Sequence, residues 1–491
     1  MKKILILFNV VVLAIAAVIL ITTLFKKQAQ DNVLGARKEA IQKLRCPDCN
    51  VILIGIDTLR ADHLGSYGYK RDTSPNIDKF AQTGVLFVNA FSQSNKTTPS
   101  FMSMFTSLYP SDHGVITVLS SNNKGPIVKI NDSIVTLPQI LKNYGYKTYG
   151  MITSTQLAGE LGFDRGFDLY EKGSAYASRD KLISLIAKIK SEKFFIFFHD
   201  NGPHDPYIPA APFDRYYQVS PFGKSLVENY DANPEGVLPI DDEDTVEVKS
   251  KKMRDNKRIT SESFWSKVDG ENPTHVSDLI ALYDGEIKHL DEFIGRLAEV
   301  LEKNKLLENT IIIFTADHGE EFGEHGQFKH NQLYNELIQV PLIVSWQKIE
   351  GKKEIAQKVR TVDIMPTLLD LLGISFDTPQ RGISLLPFIY DQSNLKDLLI
   401  ISMQELGGEL SKSYITDNYK FISGPSSPQL YNLSQDPKER QNLAELDPSK
   451  VKELQDDLDK TLDEDRFIFP PVPISAELDE DSKENLKSLG Y

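Results

Sequence analysis

Val51-Ile52-Leu53-Ile54-Gly55-Ile56, followed at once by Asp57, is an apolar run with no polar alternation. A strand covered on one face alternates; a run without alternation is covered on both, as in a parallel sheet flanked by helices. Phe194–Phe198, Ile311–Thr315 and Pro341–Val344 read the same way. Helical patterns separate them at Leu137–Tyr144, Lys181–Lys190, Val276–Asn304 and Ile364–Leu372. Strands alternating with helices predict a wound α/β sheet whose chemistry sits on loops leaving the strands' C-terminal ends. Beyond Arg381 the candidate strands shorten (Leu398–Met403, Ser413–Thr416, Tyr419–Ser423, Leu430–Leu433) and precede a helix at Ser449–Leu462. That pattern predicts a small antiparallel sheet with one helix.

The chain has 491 residues, 41% hydrophobic and 25% charged, values of a folded protein rather than a disordered one. Its 55 basic residues against 69 acidic ones give −14, which argues against a nucleic-acid surface. Met1-Lys2-Lys3 precedes an uncharged stretch, Ile4–Phe25, and Lys26-Lys27 closes it. At ~1.5 Å per residue this stretch crosses a hydrocarbon core of ~30 Å, so residues 1–27 are expected to be a membrane-anchoring signal, with a cleaved signal peptide as the second reading. Either exports the body of the chain. A polar linker, 28–46, leads to a main domain at 47–380. Residues 218–272 interrupt it with a polar insertion, expected to be a solvated surface segment or a substrate lid. A C-terminal subdomain, 381–491, ends in an acidic tail. Cys46 and Cys49 are the only cysteines, too few for a disulfide scaffold or a four-cysteine zinc site. In an oxidising compartment they would close a small loop ahead of the first strand.

Three segments carry chemistry. Asp57 leaves the first strand, and Asp317-His318 leaves Ile311–Thr315. Two carboxylates and an imidazole on such loops suit a divalent metal. In Thr97-Thr98-Pro99-Ser100, Pro99 suits the first position of a helix with Thr98 as the cap before it, so Thr97 lies at the helix N-terminus, where free N–H groups favour an anion. Each alone reads more simply as a helix cap.

Taken in order, these segments resemble the sulfatase family of the alkaline phosphatase superfamily, from about Asn50 to the C-terminal helix. The resemblance runs through Asp57-Thr58-Leu59-Arg60-Ala61-Asp62-His63, Thr97-x-Pro99-Ser100 to His113-Gly114, and Pro203-His204-Asp205-Pro206-Tyr207. It continues in Asp317-His318-Gly319-Glu320 with Gly323-Glu324-His325-Gly326, Val340–Ile343, Val362–Leu369 and Gln429–Leu433. It implies a large, mostly parallel sheet flanked by helices and a smaller C-terminal sheet. It also implies one divalent ion (calcium, manganese, magnesium or zinc) among Asp57, Thr97, Asp317 and His318. His204 and His330 would face the substrate anion or leaving group, His330 standing where many sulfatases have lysine.

The departures shape the functional expectation. Sulfatases carry, at the position of Thr97, a Cys or Ser converted to formylglycine, with Arg four residues later; here stand Thr97 and Phe101, so no formylglycine is expected. Thr58 replaces a second metal-binding Asp, and Val118 falls near a position that is polar in relatives. A formylglycine hydrate releases sulfate by collapsing to the aldehyde; a threonine ester has no such route, whereas a phosphothreonine is open to attack at phosphorus. The resemblance therefore implies a metal-dependent hydrolase or transferase of phosphate or sulfate esters, phosphate favoured, with Thr97 as nucleophile and His204 or His330 protonating the leaving group. Its substrate would be an anionic ester of a glycan, a lipid head group or a small molecule. The second reading is a sulfatase-like binding protein without activity, favoured by the missing Arg and formylglycine precursor.

Overall fold

The computed structural model describes residues 41–116, 128–231, 259–346, 351–390, 396–406 and 408–463, with positions 35, 39, 348 and 349. The expected anchor at 1–27, most of the linker, Val118 and the acidic tail lie outside the described residues.

The decisive run forms β1, Asn50–Ile56. Seven further strands join it: β2 Val85–Phe91, β3 Lys147–Ile152, β4 Leu169–Lys172, β5 Phe194–Asp200, β6 Thr310–Ala316, β9 Gln339–Ser345 and β10 Lys353–Arg360. The two-residue strands β7 (Glu321–Phe322) and β8 (Phe328–Lys329) pair only with each other. The eight-stranded order is β10-β2-β9-β6-β1-β5-β3-β4. β9 is antiparallel to both its neighbours and every other pairing is parallel, so the sheet is mixed and mostly parallel.

The lack of alternation in β1 has its reason in the two cores. Val51 and Leu53 pack into one apolar cluster with Phe101, Phe105, Leu141 and Leu368. Ile52, Ile54 and Ile56 pack into the other with Leu182, Ile186, Leu282 and Phe293. Successive side chains point to opposite faces, so a strand between two helical layers is apolar at every position. The first layer includes helices Thr97–Thr106 and Ile364–Leu371; the second includes Ala175–Ile189 and the long Pro273–Lys303.

The C-terminal part forms β11 Ile400–Leu406, β12 Glu409–Ile415, β13 Tyr419–Ser423 and β14 Gln429–Asn432, an antiparallel sheet in chain order. Helix Pro448–Asp463 buries Leu454 and Leu458 in that sheet's own apolar cluster, with Phe421 and Leu430. Cys46 and Cys49 form a disulfide directly before β1, and Arg45 holds Asp370 through Nε and Nη2 (3.1 and 2.6 Å).

The polar stretch 218–272 has helical structure at both described ends, Pro221–Asp231 and 259–265. Leu226, Val227 and Phe264 are buried in the second core cluster. Asp278 of the long helix takes the Ser220 and Gly223 N–H groups, both at 2.9 Å, which fixes where the first of these helices starts.

Candidate active site

β6, β1 and β5 lie side by side and parallel, so their C-terminal ends share one sheet edge. Register and the period of two then choose the side chains. Gly55 is level with His199 and with Thr315, and Ile56 with Asp200 and Ala316. Asp57, His199 and Asp317 therefore fall on the face covered by helix Thr97–Thr106, while Asp200 falls on the other. There Arg179 neutralises Asp200 with two buried hydrogen bonds of 2.7 and 2.9 Å.

Asp57, His199 and Asp317 each offer a ligand atom within 4.8 Å of the other two. His318 joins them: its Nε2 lies 3.8 Å from Asp57 Oδ1 and 3.6 Å from Asp317 Oδ2. The Thr58 and His318 N–H groups donate to Asp317 Oδ1 (3.2 and 2.9 Å), and His318 Nδ1 meets the Gly319 carbonyl at 2.9 Å. Thr58 turns the chain at φ 56°, a left-handed conformation uncommon for threonine, and Tyr283 braces it by donating to the Thr58 carbonyl (2.8 Å) while accepting from the Arg60 N–H (2.9 Å).

Thr97 opens its helix beside this cluster. Phe101, one turn later and so on the same helix face, sets its ring edge-on to His199 with centroids 5.3 Å apart. A Cβ at Gly55 would lie 2.4 Å from Phe101 Cε1, so the glycine makes room for that ring. Phe101 is thus an apolar buttress behind His199.

Asp57 Oδ1, Asp317 Oδ2, His199 Nε2, His318 Nε2 and Thr97 Oγ1 are all buried without a hydrogen-bond partner. Buried polar atoms are almost always paired, so four unpartnered atoms in the Asp57, His199, Asp317 and His318 cluster, with the Thr97 hydroxyl unpartnered at the start of the neighbouring helix, call for a ligand. Burial, and then the neighbouring Asp317 carboxylate, raises the Asp57 carboxyl well above the usual range. Burial lowers His199 to about 4 and depresses His318 as well. Without a cation each of these groups is driven toward its neutral form; a dication reverses that balance and uses the orphaned lone pairs. The donor set of two carboxylates, two imidazoles and a hydroxyl fits one divalent metal.

His330 and His204 are adjacent, ring centroids 5.3 Å apart, and His330 lies 4.5 Å from His318. Glu320 Oε1 meets His330 Nδ1 at 2.9 Å, and His204 Nδ1 meets the Asp205 carbonyl at 2.8 Å. Burial holds the His330 imidazole well below its ordinary range, and the Lys96 charge adds to that. Asp205 Oδ2 accepts from Trp265 Nε1 (2.9 Å) and pairs with Lys329 (3.1 Å), tying the 259–265 helix to the His204 loop. Lys96 is buried and bonds Asn331 Oδ1 at 2.8 Å; burial lowers its ammonium to about 8.

Residues 49–374 match the sulfatase family model. The chain belongs to the sulfatase family. Residues 323–467 match a second model, that of the N-sulphoglucosamine sulphohydrolase C-terminal region. The sequence is 25% identical over 437 residues to a Delta 4,5-hexuronate-2-O-sulfatase of Bacteroides thetaiotaomicron, covering 82% of this chain and 86% of that one. A structure solved with its substrate D-glucosamine-2-N,6-O-disulfate superposes with TM-score 0.66 at 21% identity, covering 87% of this chain and 99% of that one. A phosphonate monoester hydrolase of Agrobacterium radiobacter superposes with TM-score 0.65 at 17% identity, covering 84% and 94%.

Of the residues singled out from the sequence, Asp57, His204, Asp317, His318 and His330 are linked by short contacts at one end of the sheet, and Thr97 opens the helix whose Phe101 packs on His199. Sequence reading missed His199, Glu320 and Lys96. His199 had a signal: it shares the alternation of Phe195 and Phe197 at the end of a strand that the apolar run already marks.

Proposed function

We propose that this sulfatase-family hydrolase is a metal-assisted esterase of anionic esters in which Thr97 Oγ1 is the nucleophile, with phosphate esters preferred over sulfate esters. The observation that carries this is the set of five buried, unpartnered ligand atoms that includes the Thr97 hydroxyl. Asp57, His199, Asp317 and His318 would hold the cation, their two imidazoles favouring manganese or zinc over calcium. When bound, a dication supplies Lewis acidity toward a substrate oxygen and toward the threonine hydroxyl.

The chain's own groups do the rest. Thr97 is presented at a helix mouth, where backbone N–H groups favour an incoming anion. His204, held by the Asp205 carbonyl, or His330, held at Nδ1 by Glu320, would protonate a departing alkoxide. Buried Phe101 buttresses His199 and excludes water from behind the cluster. The preference for phosphorus follows from chemistry: a phosphothreonine is open to attack by water or an acceptor alcohol, whereas a threonine sulfate lacks the collapse that frees formylglycine. The fold does not choose, being shared with a sulfated-sugar enzyme and with a phosphonate hydrolase.

The relatives' names suggest a sulfated sugar as one substrate class. We further propose export and membrane anchoring through the uncharged Ile4–Phe25 stretch, in keeping with the Cys46–Cys49 disulfide. The experiment is Thr97→Ala against Thr97→Ser on aryl phosphate, phosphodiester and sulfate panels with added manganese, zinc, magnesium or calcium. Loss in the alanine variant with retention in serine supports the reading; equal turnover in Thr97→Ala removes it.

A further inference from the structure

Lys96 is only 5% exposed, and its Nζ bonds a neutral partner, the Asn331 amide oxygen at 2.8 Å. Among the described residues no carboxylate lies within ion-pair distance of it. The other deeply buried cations differ: Arg60 has Glu324, Arg179 has Asp200, Lys288 has Asp72, Arg360 has Asp363 and Lys420 has Glu439. Asp205 Oδ2 is committed to Lys329 and Trp265 and Glu320 Oε1 to His330, while Glu320 Oε2 is buried without a partner and lies outside ion-pair distance of Lys96. A desolvated cation with only a neutral partner is costly, and it is tolerated where an anion completes it.

Its placement says which anion. Lys96 immediately precedes helix Thr97–Thr106 in an extended conformation, φ −135° and ψ 142°. Asn95 Nδ2 donates to the His330 and Gln332 carbonyls at 3.0 and 2.7 Å. With the Lys96–Asn331 bond, this fastens segment 95–96 to segment 330–332, so the ammonium stands between the Thr97 mouth and the His330 loop. On either side of it, Asn95 Oδ1 and Thr97 Oγ1 are buried and unpartnered. The helix itself carries no cation, and Phe101 occupies the position from which an arginine would reach.

We propose that Lys96 is the substrate-anion residue of this site, its ammonium taking a non-bridging oxygen of a tetrahedral phosphoryl or sulfuryl group presented to Thr97. The inference rests on the functional reading above only for the role of Thr97; the anion subsite is defined by Lys96, Asn331 and the helix mouth.

The test is calorimetric titration and thermal melting of the full chain with inorganic phosphate and, separately, inorganic sulfate. Phosphate is expected to bind and raise the melting temperature of the wild type. In Lys96→Met that affinity falls about 10- to 100-fold, the size of a lost charge-assisted hydrogen bond, while the melting temperature without phosphate does not fall. Lys96→Arg keeps most of the affinity. Should Lys96→Met fail to fold, Lys96→Gln, which retains a polar bond to Asn331, takes its place with the same expected loss. Wild-type phosphate affinity in a folded, cation-free variant overturns the proposal, as does absence of binding of either anion by the wild type. A sulfate response that depends on Lys96 in the same way supports the subsite for both anions. The two readings separate cleanly: turnover that survives in Thr97→Ala removes the nucleophile, while the phosphate titration still judges Lys96.

Discussion

Two buried polar regions of this molecule differ in whether their charges are satisfied. Between the large sheet and the C-terminal sheet, Lys420 and Glu439, both fully buried, meet at 2.7 Å, and Glu439 also takes the Asn335 N–H at 2.7 Å. Close by, Arg360 holds Asp363 and Tyr109, and Arg381 holds Asp112. At the edge formed by β6, β1 and β5, like charges crowd together and their ligand atoms have no partners. The first arrangement sets each charge against an opposite one as the chain folds, and it joins two sheets. The second is complete only with something added, which is what the proposed function asks of it.

The comparison can be broken in several ways. The largest effect is expected from Thr97→Ala, with turnover falling at least about a thousandfold while the melting temperature holds; progress curves and melts on one preparation check it. Next, Lys420→Met should destabilise by about 3–5 kcal/mol, because it strands Glu439 as a buried unpaired carboxylate, while specific activity of the folded fraction is kept; denaturant unfolding measures this. A charge change at the open cluster should act in the opposite sense. Asp57→Asn removes repulsion with Asp317, so the metal-stripped protein should melt no lower than wild type, and the protection given by a divalent cation should disappear.

A pH series sharpens the same contrast. Burial raises the folded-state affinity of Asp57 and Glu320 for protons above that of the unfolded chain. The metal-stripped protein should therefore lose stability as pH climbs above the ordinary carboxylate values, 3.8 and 4.5, because the folded state must give up protons it holds more tightly. Added divalent cation should flatten that slope, and melts with and without chelator decide it. The smallest effect belongs to the surface: Arg296→Ala, which breaks an exposed pair with Asp180, should change stability by under about 0.5 kcal/mol in the same unfolding assay.

What was legible in the sequence follows from how each residue is buried. β1, β5, β6 and β9 announce themselves because both of their faces are covered, and the bounds of the Tyr419–Ser423 strand are the same in sequence and structure. β2, β3, β4 and β10 carry no such mark: their exposure is mixed, as in β10 with exposed Glu354 beside buried Ile355, and neither periodicity dominates. Asp57 and Asp317-His318 were visible as strand-end polar residues. His199 was passed over because it falls inside its strand rather than after it; its alternation with Phe195 and Phe197 was the one signal, and the register then sets it level with Gly55. Trp265 was hidden for another reason. Its partner Asp205 is 60 residues away, and nothing local in a charged insertion distinguishes a strut from a solvated loop.

The Gly55–Phe101 contact also bears on how this branch of the family can change. The ring occupies space that only a glycine at position 55 leaves open, and it is wedged against Phe197 and His199. Installing arginine at 101 would insert a guanidinium into that aromatic packing and loosen His199 in the same step. A long polar side chain at 101 therefore needs a compensating change at 55, 197 or 199, and the packing behind the cluster sets which side chains this helix can present beside it.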